Sequence, residues 1–559
     1  MQIIIPMSGF GERFRRVGYA VPKPLIEIDG KPIVAHVIDM FPGETDFVFI
    51  CNQDHLDTPA FRMEDILREY CPTGKVIGIP PHKLGPIHAV RQIEHLLDPD
   101  VPVVVNYCDF TCYWIWQDFK TFVASTKCAG AIPAYKGFHP HTLGSTNYAY
   151  MRECDGWVQD IQEKQPYTAN RMEEYASSGT YYFASATLMS EAFRLVTEEN
   201  LNVGGEYYVS LAYKPLLAKN LPIAVYPLQH FMQWGTPEDV AEYNYWSKAF
   251  RQLLASSGDA AADVAQGTLI VPMAGLGQRF VNEGYTLTKP LLPVSGLPMA
   301  GQATADLPPA EQHVFVLRSD MPGHEGVSAM LLGLYPNAII KTIDRVTDGQ
   351  ARTALIGLDA VEAAFGPPTS AITVGACDNG ALYNLAAFRQ LMDTPGVDVI
   401  VWGIRGYPNA ARHPQMFGWI DVEGDHIRAI SVKTPLADPA SDPIVLGTFT
   451  FRRAKDFRRA IARLIARDGR INGEFYVDSC INDAIALGLN CRLFEVDSYL
   501  CWGTPNDLRT FEYWQSCFHK WAGHPYRLEQ DCRVPGDRVE ALAQHYAYVS
   551  PSQPGSGAC

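Results

Sequence analysis

Short runs of apolar residues alternate with longer amphipathic stretches along the first half of the chain. The apolar runs predict buried strands, and they are IIIPM, DFVFICN, KVIGIP, PVVVNYCDF and AGAIPAY. Between them, KPIVAHVIDMF, TPAFRMEDILREY, IHAVRQIEHLL and WQDFKTFVAS carry apolar residues at helical spacing. Strands that alternate with crossover helices predict an α/β fold: a mainly parallel, three-layer α/β/α sheet whose ligands bind beyond the carboxyl ends of the strands.

One later segment breaks this alternation. NYAYMRECDGWVQDIQEK has two extended arms around the turn CDGW, which predicts a β-hairpin. We expect this hairpin to form a small β insertion, placed late in the α/β unit, that contacts a second substrate.

The whole pattern occurs twice. IIIPMSGFGERF and PKPLIEIDGKP in the first half correspond to LIVPMAGLGQRF and TKPLLPVSGLP in the second half, at one constant interval. The later blocks pair in the same order: YCDF with ACDN, EKQP with VKTP, GTYYF with GTFTF, GEYYVS with GEFYVDS, and QWGTPED with CWGTPND. Self-similarity of this kind predicts an internal duplication, with one α/β domain in each copy.

These blocks divide the chain into a first domain at 1–252, a linker at 253–267, a second domain at 268–525 and a carboxyl-terminal extension at 526–559. The linker is rich in Ala, Ser, Gly and Asp. The extension finishes in the turn-rich YVSPSQPGSGAC, which we expect to be mobile at its end.

Composition and charge narrow the class of protein. The chain has 559 residues, a hydrophobic share of 47% and a charged share of 19%, which suit an ordinary globular protein of two or three domains. A net charge of −15 argues against a nucleic-acid scaffold. Neither a leader-like start nor a membrane-spanning apolar run is found, so we expect a cytoplasmic protein without a membrane partner. The scattered cysteines form no C-x-x-C pair, and we expect reduced, mostly buried thiols.

A glycine-rich loop follows the first predicted strand of each copy. Its residues are Gly9, Gly11 and Arg13 in the first copy and Gly275, Gly277 and Arg279 in the second. Glycines after a buried strand let backbone N–H groups point at phosphate oxygens, and an arginine adds a fixed pair of donors. A bare G-x-G is weak evidence, but the G-x-G-x-R spacing fits neither a dinucleotide fingerprint nor a Walker loop.

A lysine follows each loop, and an aspartate closes a later apolar run. Pro22 and Pro24 restrict the backbone on both sides of Lys23, so its ammonium can be aimed at little entropic cost. Lys289 repeats Lys23, and Asp378 repeats Asp109, which suggests charge neutralisation and a metal site. The alternative is structural: a solvated lysine, and an aspartate that starts a turn or caps a helix.

The combination of G-x-G-x-R-F, K-P-L, a strand-ending Asp, E-K-x-P and x-G-T-P resembles the sugar-phosphate nucleotidyltransferases, in particular the branch of bacterial capsule and surface-polysaccharide loci. The resemblance covers both copies and implies two tandem Rossmann-like (GT-A-like) nucleotidyltransferase domains. It also implies that an NTP, with CTP or UTP favoured, is joined to a phosphorylated sugar or polyol. The products would be an NDP-activated compound and pyrophosphate, and the cofactor would be Mg²⁺.

The resemblance also implies a role for each motif residue. The loop glycines and arginines would hold the triphosphate, Lys23 and Lys289 would neutralise the α-phosphate, and Asp109 and Asp378 would bind Mg²⁺. Lys164 and Lys433 would hold the acceptor phosphate, although edge-strand lysines can simply discourage aggregation. Gly85 in KLGPIHAV, and Gly349 with Gln350 in DGQARTAL, would pack on the base and ribose. Glu206 and Glu474 would bind acceptor hydroxyls or stabilise a helix N-terminus.

Some positions depart from the family pattern. Many relatives have a second metal-binding Asp where this chain has Gln233 and Cys501, and Asp239 and Asp507 are weak substitutes. The second copy also has Thr288 for Pro22, Leu297 for Lys31 and Val432 for Glu163. Two working sites are favoured, and a silent second copy is the main competitor.

Other classes of protein stay open at this point. A GT-A glycosyltransferase would use an NDP-sugar, although YCDF and ACDN lack the Asp-x-Asp such enzymes usually carry. A nucleotide-sensing binding module is a further alternative. The oligomeric state is not indicated.

Overall fold

The computed structural model describes residues 1–145, 147–255 and 265–555, and the chain divides into two compact units. Unit 1 comprises Met1–Asn244 with Ala547–Cys559, and unit 2 comprises Tyr245–Tyr546. Most of the expected linker, residues 256–264, lies outside the described residues.

The elements of unit 1 follow the predicted alternation of strands and helices. Its strands are β1 (Gln2–Met7), β2 (Glu27–Ile28), β3 (Lys31–Pro32), β4 (Phe47–Asn52), β5 (Lys75–Ile79), β6 (Val103–Asn106), β7 (Phe110–Tyr113), β8 (Gly130–Tyr135), β9 (Ala149–Cys154), β10 (Trp157–Glu163), β11 (Tyr175–Ser177), β12 (Thr180–Phe183), β13 (Ile223–Pro227) and β14 (His230–Gln233). Its helices are α1 (Glu12–Arg16), α2 (Ile33–Ile38), α3 (Gln53–Leu56), α4 (Met63–Tyr70), α5 (Pro86–Arg91), α6 (Trp116–Thr126), α7 (Ala186–Glu198), α8 (Tyr213–Ala218) and the start of α9 (Pro237–Ala255).

The main sheet of unit 1 has the strand order β11-β9-β10-β13-β8-β12-β6-β1-β4-β5. The four strands β6, β1, β4 and β5 are parallel, as are β8 and β13, because helices connect them. Strand β12 runs antiparallel between β6 and β8. The expected hairpin is formed by β9 and β10, and it joins the sheet through β13 and β8 rather than standing apart as a subdomain. The α/β class is confirmed, with a sheet that is parallel on one side and mixed on the other.

Unit 2 repeats this arrangement. Its strands are β15 (Thr268–Pro272), β16 (Pro293–Val294), β17 (Leu297–Pro298), β18 (Gln312–Arg318), β19 (Ile339–Ile343), β20 (Ile372–Val374), β21 (Asn379–Leu382), β22 (Val399–Ile404), β23 (Gly418–Glu423), β24 (His426–Val432), β25 (Ile444–Phe451), β26 (Cys491–Glu495) and β27 (Ser498–Cys501). Its helices are α10 (Gln278–Asn282), α11 (Met299–Ala305), α12 (His324–Leu334), α13 (Gln350–Phe365), α14 (Leu385–Asp393), α15 (Pro408–Arg412), α16 (Ala454–Ala466), α17 (Val477–Ala486), α18 (Pro505–Lys520) and α19 (Val539–His545). The main sheet runs β19-β18-β15-β20-β25-β22-β26-β24-β23.

Alternate residues of the central strands face two different layers of helices. On β15, Ile270 packs with Leu358 of α13 and with the α16 residues of one core cluster. Its neighbour Leu269 belongs to a second cluster with Ala300 of α11 and Leu331 of α12. Side chains two residues apart on a strand share a face, so this division produces the expected three layers.

The carboxyl-terminal extension is ordered over its described part. Tyr548 Oη lies 3.1 Å from Tyr226 Oη, and the amide of Gly555 donates to Asp155 O at 2.8 Å, so residues 547–555 pack on unit 1. These contacts hold residues 547–555 against unit 1, and the expectation of a mobile end stays a prediction. The last four residues lie outside the described part of the chain.

Most cysteines match the expected state. Nine are buried free thiols, and Cys377 and Cys532 are free and less buried. Cys154 departs from the expectation, because it is disulfide-bonded. Among the described helices, none combines the length and apolarity that a membrane span requires.

Candidate active site

A cavity of about 600 Å³ opens in unit 1 at the carboxyl ends of strands β1 and β6. All seven residues predicted for this copy line it, and they are Gly9, Gly11, Arg13, Lys23, Gly85, Asp109 and Lys164. These positions are widely separated in sequence. They converge on one cavity because the strands in the parallel half of the sheet end at the same edge.

The glycine loop packs directly on the Lys-Pro element. Gly11 has φ 63° and starts helix α1, a backbone conformation that glycine adopts without strain. A Cβ on Gly11 would lie 3.5 Å from Cβ of Lys23. The loop and the lysine therefore form one surface, with Arg13 exposed at its edge.

Lys23 and Asp109 form an ion pair at the cavity wall. Lys23 Nζ donates to Asp109 Oδ2 at 2.7 Å, and about a quarter of each side chain is exposed, 24% and 26%. Burial alone would lower the pKa of Lys23, but the Asp109 carboxylate and neighbouring groups outweigh it, so this pKa lies above its ordinary value. The ammonium stays charged and available to an incoming anion.

Gly85 lets the start of helix α5 approach the opposite wall. Its φ is 86°, and a Cβ there would lie 2.7 Å from the backbone nitrogen of Tyr207. The amide of Tyr207 donates to Leu84 O at 2.9 Å, and the amide of Ile87 donates to Tyr207 O at 3.1 Å. The predicted glycine turn that opens a helix is confirmed, and close backbone contact explains the glycine.

Lys164 lies on a third wall with Tyr208 and Glu206. Its backbone has φ 60°, and its amide donates to Tyr148 O at 2.8 Å. The Lys164 ammonium bonds the Tyr208 hydroxyl and lies 4.3 Å from the centre of that ring. Tyr208 in turn donates its hydroxyl to Glu206. Glu206 faces the cavity, so this wall presents a cation, a phenol and a carboxylate together.

Glu163 precedes Lys164 and also lines the cavity. Its Oε2 accepts a hydrogen bond from Ser210 Oγ at 2.6 Å. Burial raises the pKa of Glu163 to about 7, a value at which the carboxyl exchanges protons near neutral pH.

Asp239, the weak substitute for a second metal ligand, is engaged in hydrogen bonds of its own. Its Oδ2 accepts from the Thr236 amide at 2.9 Å and from the Thr236 hydroxyl at 2.8 Å, while Gln233 donates to its other oxygen. Burial raises the pKa of Asp239 to about 6. The carboxylate caps helix α9 and accepts a hydrogen bond at each oxygen, whereas Asp109 is the carboxylate that pairs with Lys23.

Unit 2 repeats the phosphate side of this arrangement. Gly277 has φ 64°, and a Cβ there would lie 3.4 Å from Cβ of Lys289. Lys289 Nζ donates to Asp378 Oδ2 at 2.5 Å and to Gly503 O at 2.8 Å. As for Lys23, the aspartate outweighs the lowering effect of burial and raises the pKa of Lys289. Gly275 lies exposed in the loop and accepts at its carbonyl from Arg318 at 3.0 Å.

The residues predicted to contact the base and the acceptor also recur. Gly349, with φ 129°, precedes Gln350 at the start of helix α13, and a Cβ on it would overlap the backbone of Phe475. Lys433 has φ 61° and lies 5.9 Å from the centre of the Tyr476 ring. Burial lowers the pKa of Lys433. The Asp478 carboxylate opposes this shift, and the Arg279 guanidinium adds to it.

Asp507, the weak substitute in unit 2, is engaged in the same way. Asp507 accepts from the amide and hydroxyl of Thr504 at 3.1 and 2.6 Å, and Asn409 occupies its other oxygen at 2.9 Å. Asp507 therefore caps helix α18. Cys501 is buried beside it, and burial raises the pKa of this thiol. Over the described ranges, no group of three or more His, Cys, Asp or Glu residues could hold a metal ion by itself.

Two residues of the site were not singled out by the sequence. Tyr208 bonds Lys164, and its recurrence as Tyr476 in the G-E-[YF]-Y block was an available signal. Glu163 was visible in E-K-x-P, but its contact with Ser210 joins positions 47 residues apart, which local pattern does not predict.

Residues 2–204 match the family model of the nucleotidyl transferases. The bifunctional protein GlmU of Paraburkholderia phymatum is 28% identical over 241 residues, covering 42% of this chain and 48% of that protein. Mannose-1-phosphate guanyltransferase beta-B of Xenopus laevis is 26% identical over 253 residues, covering 43% of this chain and 62% of that protein. The chain thus spans about half of GlmU and less than two thirds of the guanyltransferase.

Among solved structures, a nucleoside-diphosphate-sugar pyrophosphorylase from Vibrio cholerae RC9 is 21% identical, with a TM-score of 0.36 over 44% of this chain and 98% of that one. The inositol-1-phosphate CTP transferase of T. maritima is 13% identical, with a TM-score of 0.35 over 46% of this chain and 99% of that one.

Proposed function

We propose that the protein joins an NTP to a phosphorylated sugar or polyol. Residues 2–204 match the family model of the nucleotidyl transferases, and a similar protein is a mannose-1-phosphate guanyltransferase. The products are an NDP-activated compound and pyrophosphate. The observation that carries the proposal is the convergence of the glycine loop, Lys23, Asp109 and Lys164 on one cavity.

The reaction needs positioning more than acid–base chemistry. An oxygen of the acceptor phosphate attacks the α-phosphorus of the NTP, and a new P–O bond forms. The bond from the α-phosphorus to the oxygen bridging the β-phosphate breaks, and its electron pair leaves with pyrophosphate. The attacking phosphate is already anionic, so no general base and no covalent enzyme intermediate are required.

The barrier is the meeting of two polyanions, and the cavity residues are suited to lower it. The backbone of Gly9 and Gly11, with Arg13, binds the triphosphate. Lys23 exchanges its Asp109 contact for oxygens of the α-phosphate, where charge accumulates as the bond breaks. Lys164 anchors the acceptor phosphate on the facing wall and so fixes the line of attack.

Asp109 fits a magnesium ion that is held mainly by its substrate. Mg²⁺ takes one or two protein carboxylates and fills its remaining positions with phosphate and water oxygens. One partly exposed carboxylate at the cavity wall, with Asp239 committed to a helix cap, matches that ligand set. When bound, the ion supplies charge neutralisation at the phosphates.

We extend the proposal to unit 2. The pairing of Lys289 with Asp378, and the placement of Lys433 beside Tyr476, support a second site. A silent second unit is the competing proposal. We further propose a pyrimidine nucleotide, CTP or UTP, a role in surface polysaccharide synthesis and a cytoplasmic location, following the resemblance of the motifs.

The test is pyrophosphate release by the full chain with Mg²⁺, an NTP panel and a panel of sugar and polyol phosphates. We expect Lys23→Ala and Lys289→Ala each to remove one acceptor-dependent activity by about 10²–10³-fold, as loss of a charge-stabilising donor does. Lys75→Ala, an exposed lysine paired with Asp46, is the matched control and should retain activity. Unchanged release in both site variants would contradict the site assignment, and an effect of Lys23→Ala alone would favour the silent second unit.

A further inference from the structure

Each unit places one partly buried carboxyl group beside its acceptor lysine, but from a different position in the fold. In unit 1 the group is Glu163, the last residue of β10 and the neighbour of Lys164. The equivalent position at the end of β24 is Val432. In unit 2 the group is Asp478 near the start of helix α17, where unit 1 has Ser210.

The equivalence of these positions follows from strand register. Glu163 pairs with Ala149 across β10 and β9, and Val432 pairs with Gly418 across β24 and β23. Ser210 and Asp478 both lie two residues after the tyrosine that contacts the acceptor lysine, Tyr208 in one unit and Tyr476 in the other.

The contacts of the two carboxyl groups show that the strand-side and helix-side positions change together between the units. In unit 1, the Ser210 hydroxyl donates to Glu163 at 2.6 Å, so the small residue on the helix side supports the carboxyl on the strand side. In unit 2, the Asp478 carboxylate lies next to Gly418 on the helix side, and the strand side is apolar at Val432. The Lys433 ammonium donates to Met416 O, and the Asp478 carboxylate acts on it through its charge.

A third position changes with them. A Cβ on Gly418 would overlap the carboxylate of Asp478, whereas the paired position in unit 1 is Ala149, which has a Cβ and lines the cavity. The loss of one methyl group therefore makes room for the relocated carboxylate. Three linked changes that conserve one charge near the lysine are better explained by a retained ligand contact than by drift of a silent site.

We propose that the two units take different acceptors, and that the position of this carboxyl group selects between them. With the acceptor phosphate on Lys164 or Lys433, the carboxyl accepts hydrogen bonds from sugar or polyol hydroxyls: from the strand side in unit 1 and from the helix side in unit 2. Both units have the lysine together with a glutamate and a tyrosine, which are Glu206 and Tyr208 in unit 1 and Glu474 and Tyr476 in unit 2. These residues are the part of the acceptor site that the two units share.

The size of the expected selectivity follows from the hydrogen bond. A site that presents a buried carboxyl oxygen as acceptor rejects a ligand whose hydroxyl points elsewhere, because that oxygen then loses its solvent without gaining a partner. One such contact changes kcat/KM by about 10–100-fold. The inference rests on the proposed nucleotidyl transfer, but it concerns only the acceptor side.

The experiment reads each unit separately in the full-length chain. In the Lys289→Ala variant the measured activity comes from unit 1, and in the Lys23→Ala variant it comes from unit 2. Glucose 1-phosphate, mannose 1-phosphate and glycerol 3-phosphate are the probes, since the first two differ in the configuration of a single hydroxyl group. We expect different rank orders of kcat/KM in the two backgrounds, and one shared rank order would overturn the inference.

The reciprocal exchange assigns the effect to the carboxyl position. In the Lys289→Ala background, the triple change Ala149→Gly, Glu163→Val and Ser210→Asp should shift the acceptor rank order towards that of unit 2. The affinity for NTP, measured by calorimetry, should stay unchanged, which a general structural defect would not allow. An equal loss of kcat/KM for all three acceptors would overturn the inference. If the triple variant does not fold, the nearly isosteric Glu163→Gln variant repeats the test.

A failure of the proposed function is distinguishable from a failure of this inference. If the unaltered protein releases no pyrophosphate with any pair of substrates, the proposed reaction fails. Calorimetric binding of the same three phosphates to Lys164→Ala and Lys433→Ala variants then decides the inference: different preferences support it, and identical or absent binding overturns it.

Discussion

The two units keep the same geometry of the glycine loop and its lysine, and change what surrounds it. Gly11 and Gly277 have nearly equal φ angles of 63° and 64°, and each lies against the lysine that pairs with a strand-ending aspartate. The acceptor lysines Lys164 and Lys433 share a left-handed backbone, at 60° and 61°.

The supports of the two glycine loops differ. In unit 1, Ser8 Oγ lies 3.2 Å from Nε2 of His82, whose Nδ1 accepts from the Leu84 amide. In unit 2, Ala274 replaces Ser8, and the buried guanidinium of Arg318 donates to the carbonyls of Ala274 and Gly275 at 2.9 and 3.0 Å. The comparison teaches that the residues proposed to bind the triphosphate are kept in both units, whereas the groups that hold them in place can be replaced.

The largest effects are expected at the two glycines that open the base-side helices. Gly85→Ala and Gly349→Ala each combine a positive φ with a clash against the backbone of the facing segment. We expect each to destabilise its own unit by about 2–4 kcal/mol, measured by hydrogen exchange on peptides of that unit. Gly137→Ala, with φ 86° and open space around its Cβ, is the control and should cost only ~1 kcal/mol. Equal costs at all three positions would contradict the role of close backbone approach.

The loop supports should differ in strength. Arg318→Met removes two charge-assisted hydrogen bonds from the loop carbonyls of Ala274 and Gly275, so we expect the NTP affinity of unit 2 to fall by about 10–100-fold. Ser8→Ala gives unit 1 the residue that unit 2 has naturally, and it should lower NTP affinity by less than about tenfold. NTP affinity is measured by calorimetry, with Arg318→Met in the Lys23→Ala background and Ser8→Ala in the Lys289→Ala background, so that each unit is measured separately. A larger loss from Ser8→Ala than from Arg318→Met would reverse this ranking.

Much of this arrangement was predictable because it depends on local pattern. The strand and helix order follows apolar periodicity, and the motif residues converge because parallel strands end at one edge. The helix caps formed by Asp239 and Asp507 could also be predicted, because T-P-E-D and T-P-N-D place an acidic residue three positions after a threonine.

Other contacts could not be predicted because they join distant positions. The bond between Ser210 and Glu163, and the packing of Tyr548 on Tyr226 some 322 residues away, depend on tertiary folding. The mixed half of the sheet depends on which edge the hairpin joins, and hairpin sequence does not specify that partner.

A smaller effect is expected from pH on stability, and it differs between the two carboxyl groups proposed to contact the acceptor, Glu163 and Asp478. Burial raises the pKa of Glu163 from 4.5 to about 7 and that of Asp478 from 3.8 to about 6. The folded state then binds more protons than the unfolded state, so stability falls as pH rises from about 4.5 to 7 for Glu163, and from about 3.8 to 6 for Asp478.

Glu163→Gln removes the first of these contributions. Relative to the unaltered protein, the variant should gain about 1–2 kcal/mol of stability at pH 7.5 compared with pH 4.5, after allowance for solvent screening. Thermal unfolding at the two pH values measures the gain, with the exposed Glu27→Gln as control. A variant whose stability relative to the unaltered protein is the same at both pH values would show that Glu163 is not held protonated by burial.

The smallest effect is expected where the two units differ most visibly in charge. Lys83 reaches Glu12 of the glycine loop at 2.5 Å in unit 1, whereas unit 2 has Gln278 and Thr347 at these positions. Both charged side chains are largely exposed, at 70% and 48%, and exposed pairs of this kind are screened by water and salt. We expect Lys83→Met to leave the thermal midpoint of unit 1 within about 1 °C, and to change NTP affinity by less than about threefold. A larger loss of affinity that disappears at high salt would show that Lys83 leaves Glu12 to bind the triphosphate, and would make this charge a real difference between the two sites.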